Sequence, residues 1–224
     1  MNARDKAILN DLKLYRCLSR DQIIGLHFNG LKNPINSANS VLKRMVRDGL
    51  IKCSRSFTPF VYFLAETKIK HDSQKIPHFL QIADTIIEMM SHKLPKHVQV
   101  EPKFSRKGGV EPDIACKWLG KNMFIEIQRN VYSQKVMQKK IDLYEKYFLS
   151  GDWKTEPCQV EGKEYFPFLV IVTDTRYAVE SDFFKIIQVP SMSDLYEMVY
   201  KAKQPDQQPP AQKIRTSGNI RMKL

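Results

Sequence analysis

The chain has 224 residues, 42% apolar and 27% charged, which is ordinary globular composition and enough length to bury one large core or two small ones. It contains no apolar run of about 18 residues and opens on MNARDKAILNDL, without an apolar h-region, so neither a membrane span nor a secretory signal is expected and the protein is read as cytoplasmic. The formal charge of +12 is unevenly spread, with 13 Lys+Arg against 5 Asp+Glu over residues 1–70, 18 against 18 over 71–201 and 5 against 1 over 202–224, so a polyanion such as DNA is the expected partner of the two ends.

In chain order, Ile8, Leu12 and Tyr15 recur at helical spacing and predict a first helix over 3–16. Ser19 and Gln22 form a capping box, and Leu18 and Ile23 a hydrophobic staple, for a second helix ending near Phe28. Beyond the breaker GLKNP, Ala38, Val41, Leu42, Met45 and Val46 follow one helical stripe that ends at Gly49. That stripe leaves Ser37, Ser40, Lys43, Arg44 and Arg47 facing outward. LIKCS and FVYFLA then read as a hairpin around Arg55. Three helices and a hairpin within residues 1–66 predict a winged helix-turn-helix. Its third helix would enter the major groove with Ser40, Lys43, Arg44 and Arg47, and Arg55 would touch the flanking backbone.

Residues 67–76 are polar and read as a linker. PHFLQIADTIIEMM predicts a helix opened by Pro77, with Phe79, Ile82, Ile86, Met89 and Met90 inward and Asp84 and Glu88 sharing one side. VQVEPKF, VEPDIACKWL and NMFIEIQRN read as strands, with GG at 108–109 and LGKN at 119–122 as turns. A helix with Val136, Ile141, Leu143, Tyr144, Tyr147 and Phe148 inward follows. FPFLVIVTD is next, an apolar run expected of a strand covered on both faces. VESDFFKIIQ and SMSDLYEMVYKA are expected to be short helices. Residues 77–201 thus read as one α/β unit on a mixed sheet, and 202–224, Pro/Gln-rich and then basic, as a disordered tail.

Four cysteines (Cys17, Cys53, Cys116, Cys158) lie far apart without a CxxC pair and read as reduced thiols. The five histidines show no metal-binding spacing. The chemistry-bearing stretch is EPDIACKWLGKNMFIEIQRN. Strand alternation sends Met123, Ile125 and Ile127 to one face and Phe124, Glu126 and Gln128 to the other. If the LGKN turn pairs the strands, Asp113 and Glu126 converge, which is costly without a cation or proton between them. Two readings stay open here: a carboxylate pair holding Mg²⁺ (Mn²⁺ as substitute), or two acids on a wet face that never meet.

Pro112-Asp113 followed by Glu126-Ile127-Gln128 within an αβββαβ order resembles the PD-(D/E)XK nuclease superfamily. A winged helix followed by such a restriction-endonuclease-like core resembles the replication-relaxation family of plasmid and mobile-element proteins, over residues 5–190 or so. The resemblance implies Asp113, Glu126 and the carbonyl of Ile127 as metal ligands, Gln128 in place of the usual lysine, and Glu88 as the acid from the first helix of the core. Gln is neutral where Lys would be charged, which sets activity against a retained DNA-binding platform. Lys135 and Lys139, on the following helix, are suited to phosphates beside that site. The expected function is a double-stranded-DNA-binding protein of replication, relaxation or mobilisation, acting with replication or mobilisation proteins and as a homodimer if its sites are palindromic. A Mg²⁺-dependent endonuclease and a winged-helix transcription regulator are the alternatives.

Overall fold

The computed structural model describes residues 1–104, 109–128, 130–156, 159 and 164–201. The GG turn falls partly, and Cys158 and the basic tail wholly, outside the described residues. The first part comprises α1 (Ala3–Tyr15), β1 (Leu18–Ser19), α2 (Arg20–His27), α3 (Pro34–Arg47), β2 (Ile51–Ser54) and β3 (Val61–Leu64). The capping box forms as read: Gln22 N–H donates to Ser19 Oγ and Ser19 N–H to Gln22 Oε1. The strands make an antiparallel sheet in the order β1-β3-β2. β1 is too short to carry a pattern of its own. It exists because Leu18 and Ser19 pair with Tyr62 and Val61.

On α3, Ala38, Leu42 and Met45 are buried while Val46 is 38% exposed, so the inward stripe is narrower than expected. Arg44 also departs from the expected free face. Its guanidinium donates to Asp5 Oδ1 at 2.7 Å, and Asp5 is a buried acid on α1.

The second part is α4 (Ile76–His92), β4 (Lys96–Val100), β5 (Ile114–Trp118), β6 (Lys121–Ile127), α5 (Gln134–Ser150), a 3₁₀ turn (Asp152–Thr155), β7 (Phe168–Val172), β8 (Ile186–Val189) and α6 (Met192–Lys201). The five strands lie in sequence order, antiparallel from β4 to β6 and parallel from β6 to β8. The fold is thus α/β on a mixed sheet, with six helices among the described residues. A two-residue turn joins β5 to β6, with Leu119 at φ 51 and Gly120 at φ 83, and Trp118 opposite Lys121. Two left-handed residues match the twist of a tight hairpin, and glycine adopts that conformation without a Cβ clash. The β4–β5 ladder is irregular between Lys96 and Gln99, where His97 sits at φ 53.

Two expectations fail here for packing reasons. VESDFFKIIQ is not a helix: its Ile186 and Ile187 pair with Leu169 and Val170 of β7, and the sheet overrides local pattern. On α5 the buried stripe is Met137, Ile141, Tyr144 and Tyr147, which rotates Val136 (47% exposed) and Leu143 (41%) outward.

β6 divides two cores as alternation predicts. Met123, Ile125 and Ile127 join the core beneath α4 and α6, and Phe124 joins the aromatic core beneath α5. The first of these cores is continuous with the N-terminal helices. Met90, read as inward on α4, is 38% exposed. Gln22 Nε2 fastens α2 to α4 through Leu80 O at 2.8 Å and Asp84 Oδ1 at 2.6 Å. The stretch read as a linker is a run of turns with α4 starting at its last residue, and Ser54 Oγ pins it by donating to His71 O.

Candidate functional site

The register Ile114↔Ile125 continues one step to set Asp113 beside Glu126, at the end of the β5–β6 ladder. Glu126 does not lie on a wet face, and the Asp113 side chain is part-buried at 14% exposed. Glu126 is only 2% exposed, sealed by α5: Tyr144 Oη donates to its Oε1 at 2.6 Å and Lys140 Nζ to its Oε2 at 2.5 Å. Asp113 Oδ2 accepts from the Ile127 N–H at 2.7 Å, and its Oδ1 faces His78 Nε2 at 3.0 Å. A cleft of about 400 Å³ opens here, lined among others by His78, Asp113, Gln128, Tyr132 and Lys140.

Burial pushes the Glu126 carboxyl up; Lys140 pulls it down, and the negative charge of Asp113 raises it again. Burial also opposes the Lys140 ammonium, but Glu126 outweighs it and holds the lysine's pKa up. Burial and Glu126 together lift Tyr144 well above the ordinary phenol. The cluster is an acid pair neutralised from the protein's own side.

Gln128 has a buried Oε1 without a hydrogen-bond partner among the described residues. The cation that the structure brings to the acid pair is Lys140 of α5. The sequence carried a signal for it: Lys140 interrupts the apolar stripe beside Met137, Ile141 and Tyr144, where a lysine has to find a partner. His78, next to Pro77 on the first turn of α4, carried none.

Glu88 does not join this cluster. Its Oε1 accepts from the Ser193 N–H at 2.8 Å and so caps α6, whose unpaired N-terminal amides favour an acid. Asp84 faces Gln22. The residue α4 brings to the cleft is His78.

Oxygen donors are what Mg²⁺ takes, and Asp113, Glu126 and the Ile127 carbonyl are the nearest set. As arranged they do not fit the ion. All four carboxylate oxygens already face a donor of the protein. No group of three or more His, Cys, Asp or Glu able to hold a metal occurs among the described residues.

The other expected residues lie on open surfaces. Ser40, Lys43 and Arg47 are exposed on α3, with Asn36 and Asn39 beside them, and Arg55 is exposed in the β2–β3 connection. Lys135 and Lys139 are exposed on α5. Cys17, Cys53 and Cys116 form no disulfide among the described residues, and burial pushes the thiol of Cys17 up to about 12. No helix among the described residues is long and apolar enough to cross a membrane.

No family model matches the chain, and no curated protein or solved structure matches it either.

Proposed function

We propose that the chain is a DNA-binding protein of the replication-relaxation type, in which a winged helix grips duplex DNA and a nuclease-like α/β unit serves recognition or assembly. The observation that carries this reading is the outer face of α3, where Asn36, Asn39, Ser40, Lys43 and Arg47 stand exposed over a buried Ala38-Leu42-Met45 stripe. Polar and basic side chains on such a helix suit base edges and phosphates. The order helix, strand, helix, helix, strand, strand, with β1 paired to β3, is the arrangement a winged helix would have. Arg55 would then reach the flanking backbone. The αβββα order of the second unit, with Asp113 beside Glu126, supports the nuclease-like part. Replication or mobilisation proteins and a second copy of the chain are its partners on this reading.

One observation favours a second reading as a metal-dependent nuclease: Lys140 brings to the cleft the cation that Gln128 lacks. It requires a metal to displace Lys140 or His78 from the acids.

Two assays test these readings, the first the α3 interface and the second the choice between them. Anisotropy of labelled duplex DNA over a salt series should show tight, salt-sensitive binding by wild type. In the double variant Lys43→Ala/Arg47→Ala the log–log salt slope should fall by about 2, near 0.9 per lost phosphate contact. Unchanged affinity in that variant would reject the α3 interface. Supercoiled DNA incubated with wild type and Mg²⁺ should stay uncut; cutting abolished by Asp113→Ala and Glu126→Ala would establish the nuclease instead.

A further inference from the structure

A second cavity, of about 480 Å³, lies where the two parts of the chain meet. Arg16, from the end of α1, and Lys68, Lys70 and Lys75, from the turns before α4, line it together with Lys103. Its two acids are engaged, Glu101 with Arg16 at 3.5 Å and Glu111 with Lys103 at 3.2 Å. Lys68, Lys70 and Lys75 are exposed and make no ion pair among the described residues. Exposed lysines gathered on one cavity without acidic partners of their own favour a polyanion.

Lys75 and Glu101 line the acid cleft as well, so cavity and cleft adjoin, and together they are called the groove below. At its far end stands Tyr132, 42% exposed, its backbone held by a hydrogen bond from its N–H to Tyr177 Oη at 3.0 Å. Lysines that track a backbone and an aromatic ring on which a base stacks are the parts of a single-strand site. Each cavity has room for a nucleotide or so, not for a double helix.

We infer that this groove binds single-stranded nucleic acid, its phosphates running over Lys68, Lys70 and Lys75 and a base stacking on Tyr132 at the acid cleft. The inference rests on the DNA-binding reading above and deepens it. α3 holds the duplex, and the groove takes a strand separated from it. The lysines sit in turns fixed to the β2–β3 hairpin through Ser54 and His71, so the track is built rather than adaptable.

The test measures binding of labelled oligo(dT), oligo(U) and duplex to wild type, to Lys68→Ala/Lys70→Ala/Lys75→Ala and to Tyr132→Leu, with circular dichroism confirming that each is folded. Wild type should bind an oligomer, and the preferred one names the polymer. The triple variant should bind it about 10-fold or more weakly, with a salt slope lower by about 2, at roughly 0.7 per phosphate contact on single strands. Tyr132→Leu should weaken the oligomer with its salt slope unchanged, and both variants should keep duplex affinity. Absence of oligomer binding by wild type, or undiminished binding by the triple variant, would overturn the groove. So would equal loss of duplex and oligomer, which would make the lysines part of the duplex interface. Failure of wild type to bind duplex at all would sink the parent reading instead.

Discussion

Asp5 and Glu126 are both buried carboxylates paired with a basic side chain from another helix or strand, yet their surroundings shift them in opposite directions. Arg44 donates to Asp5 while Asn2 and Asp5 complete a capping box at the start of α1, and the Arg44 hydrogen bond holds the Asp5 carboxyl below its usual value. Glu126 sits mid-sheet beside Asp113, and burial, the largest influence, raises it despite Lys140. Asp5 is thus held as a clamp between α1 and α3, whereas Glu126 is a buried acid beside a second acid that depends on Lys140 and Tyr144 to offset its burial.

Three substitutions would break or sharpen that contrast. Lys140→Met has the largest expected effect. Removing one partner of a buried pair typically costs about 3–5 kcal/mol, and about 2–4 is expected here because the lysine side chain is 34% exposed. Glu126 would then rise further. A carboxyl raised in the folded state contributes stability below its unfolded pKa and loses it as pH climbs through the folded value. The variant should therefore be most stable in acid, and urea melts across pH would show it. Glu126→Gln in the same background should recover stability at neutral pH.

Arg44→Ala should cost less, and with the opposite pH sign. A lowered carboxyl contributes stability above its unfolded pKa and loses it as pH falls through the folded value. The difference in Tm between wild type and Arg44→Ala should therefore be present at neutral pH and shrink in acid. Duplex affinity should change less than in Lys43→Ala/Arg47→Ala, because Arg44 is engaged with Asp5. Gln22→Ala is the smallest of the three. It removes the acceptor for Ser19 N–H and the tether to Leu80 and Asp84 of α4, for about 1 kcal/mol by denaturant midpoint at neutral pH.

The parts of the molecule legible in the sequence are those governed by local rules. The Ser19–Gln22 box, the Ala38-Leu42-Met45 stripe and the alternation of β6 are properties of a few neighbouring residues. What escaped depended on contacts across the chain. β1 needs β3 to exist, and the helical pattern of VESDFFKIIQ conceals β8 because Ile186 and Ile187 become a strand only against β7. Glu88, expected as the site's helix acid, and Asp84 share one side of α4, but α6 takes the first and Gln22 the second. At the site, the meeting of Asp113 with Glu126 followed from register, whereas their neutralising partners came from helices whose docking no spacing predicts.

The irregular outer strand of the five-stranded sheet bears on how the protein behaves at high concentration. An edge strand offers unpaired amides and carbonyls to any passing chain, a route to runaway association. β4 is a poor host for such pairing. His97 at φ 53 breaks its ladder between Lys96 and Gln99, and Lys96, His97 and Gln99 are exposed. A strand laid alongside would lose register within a few residues and meet a positive charge at Lys96. Straightening that segment, rather than loosening the core, is the change most apt to turn a dispersed protein into a fibrous one.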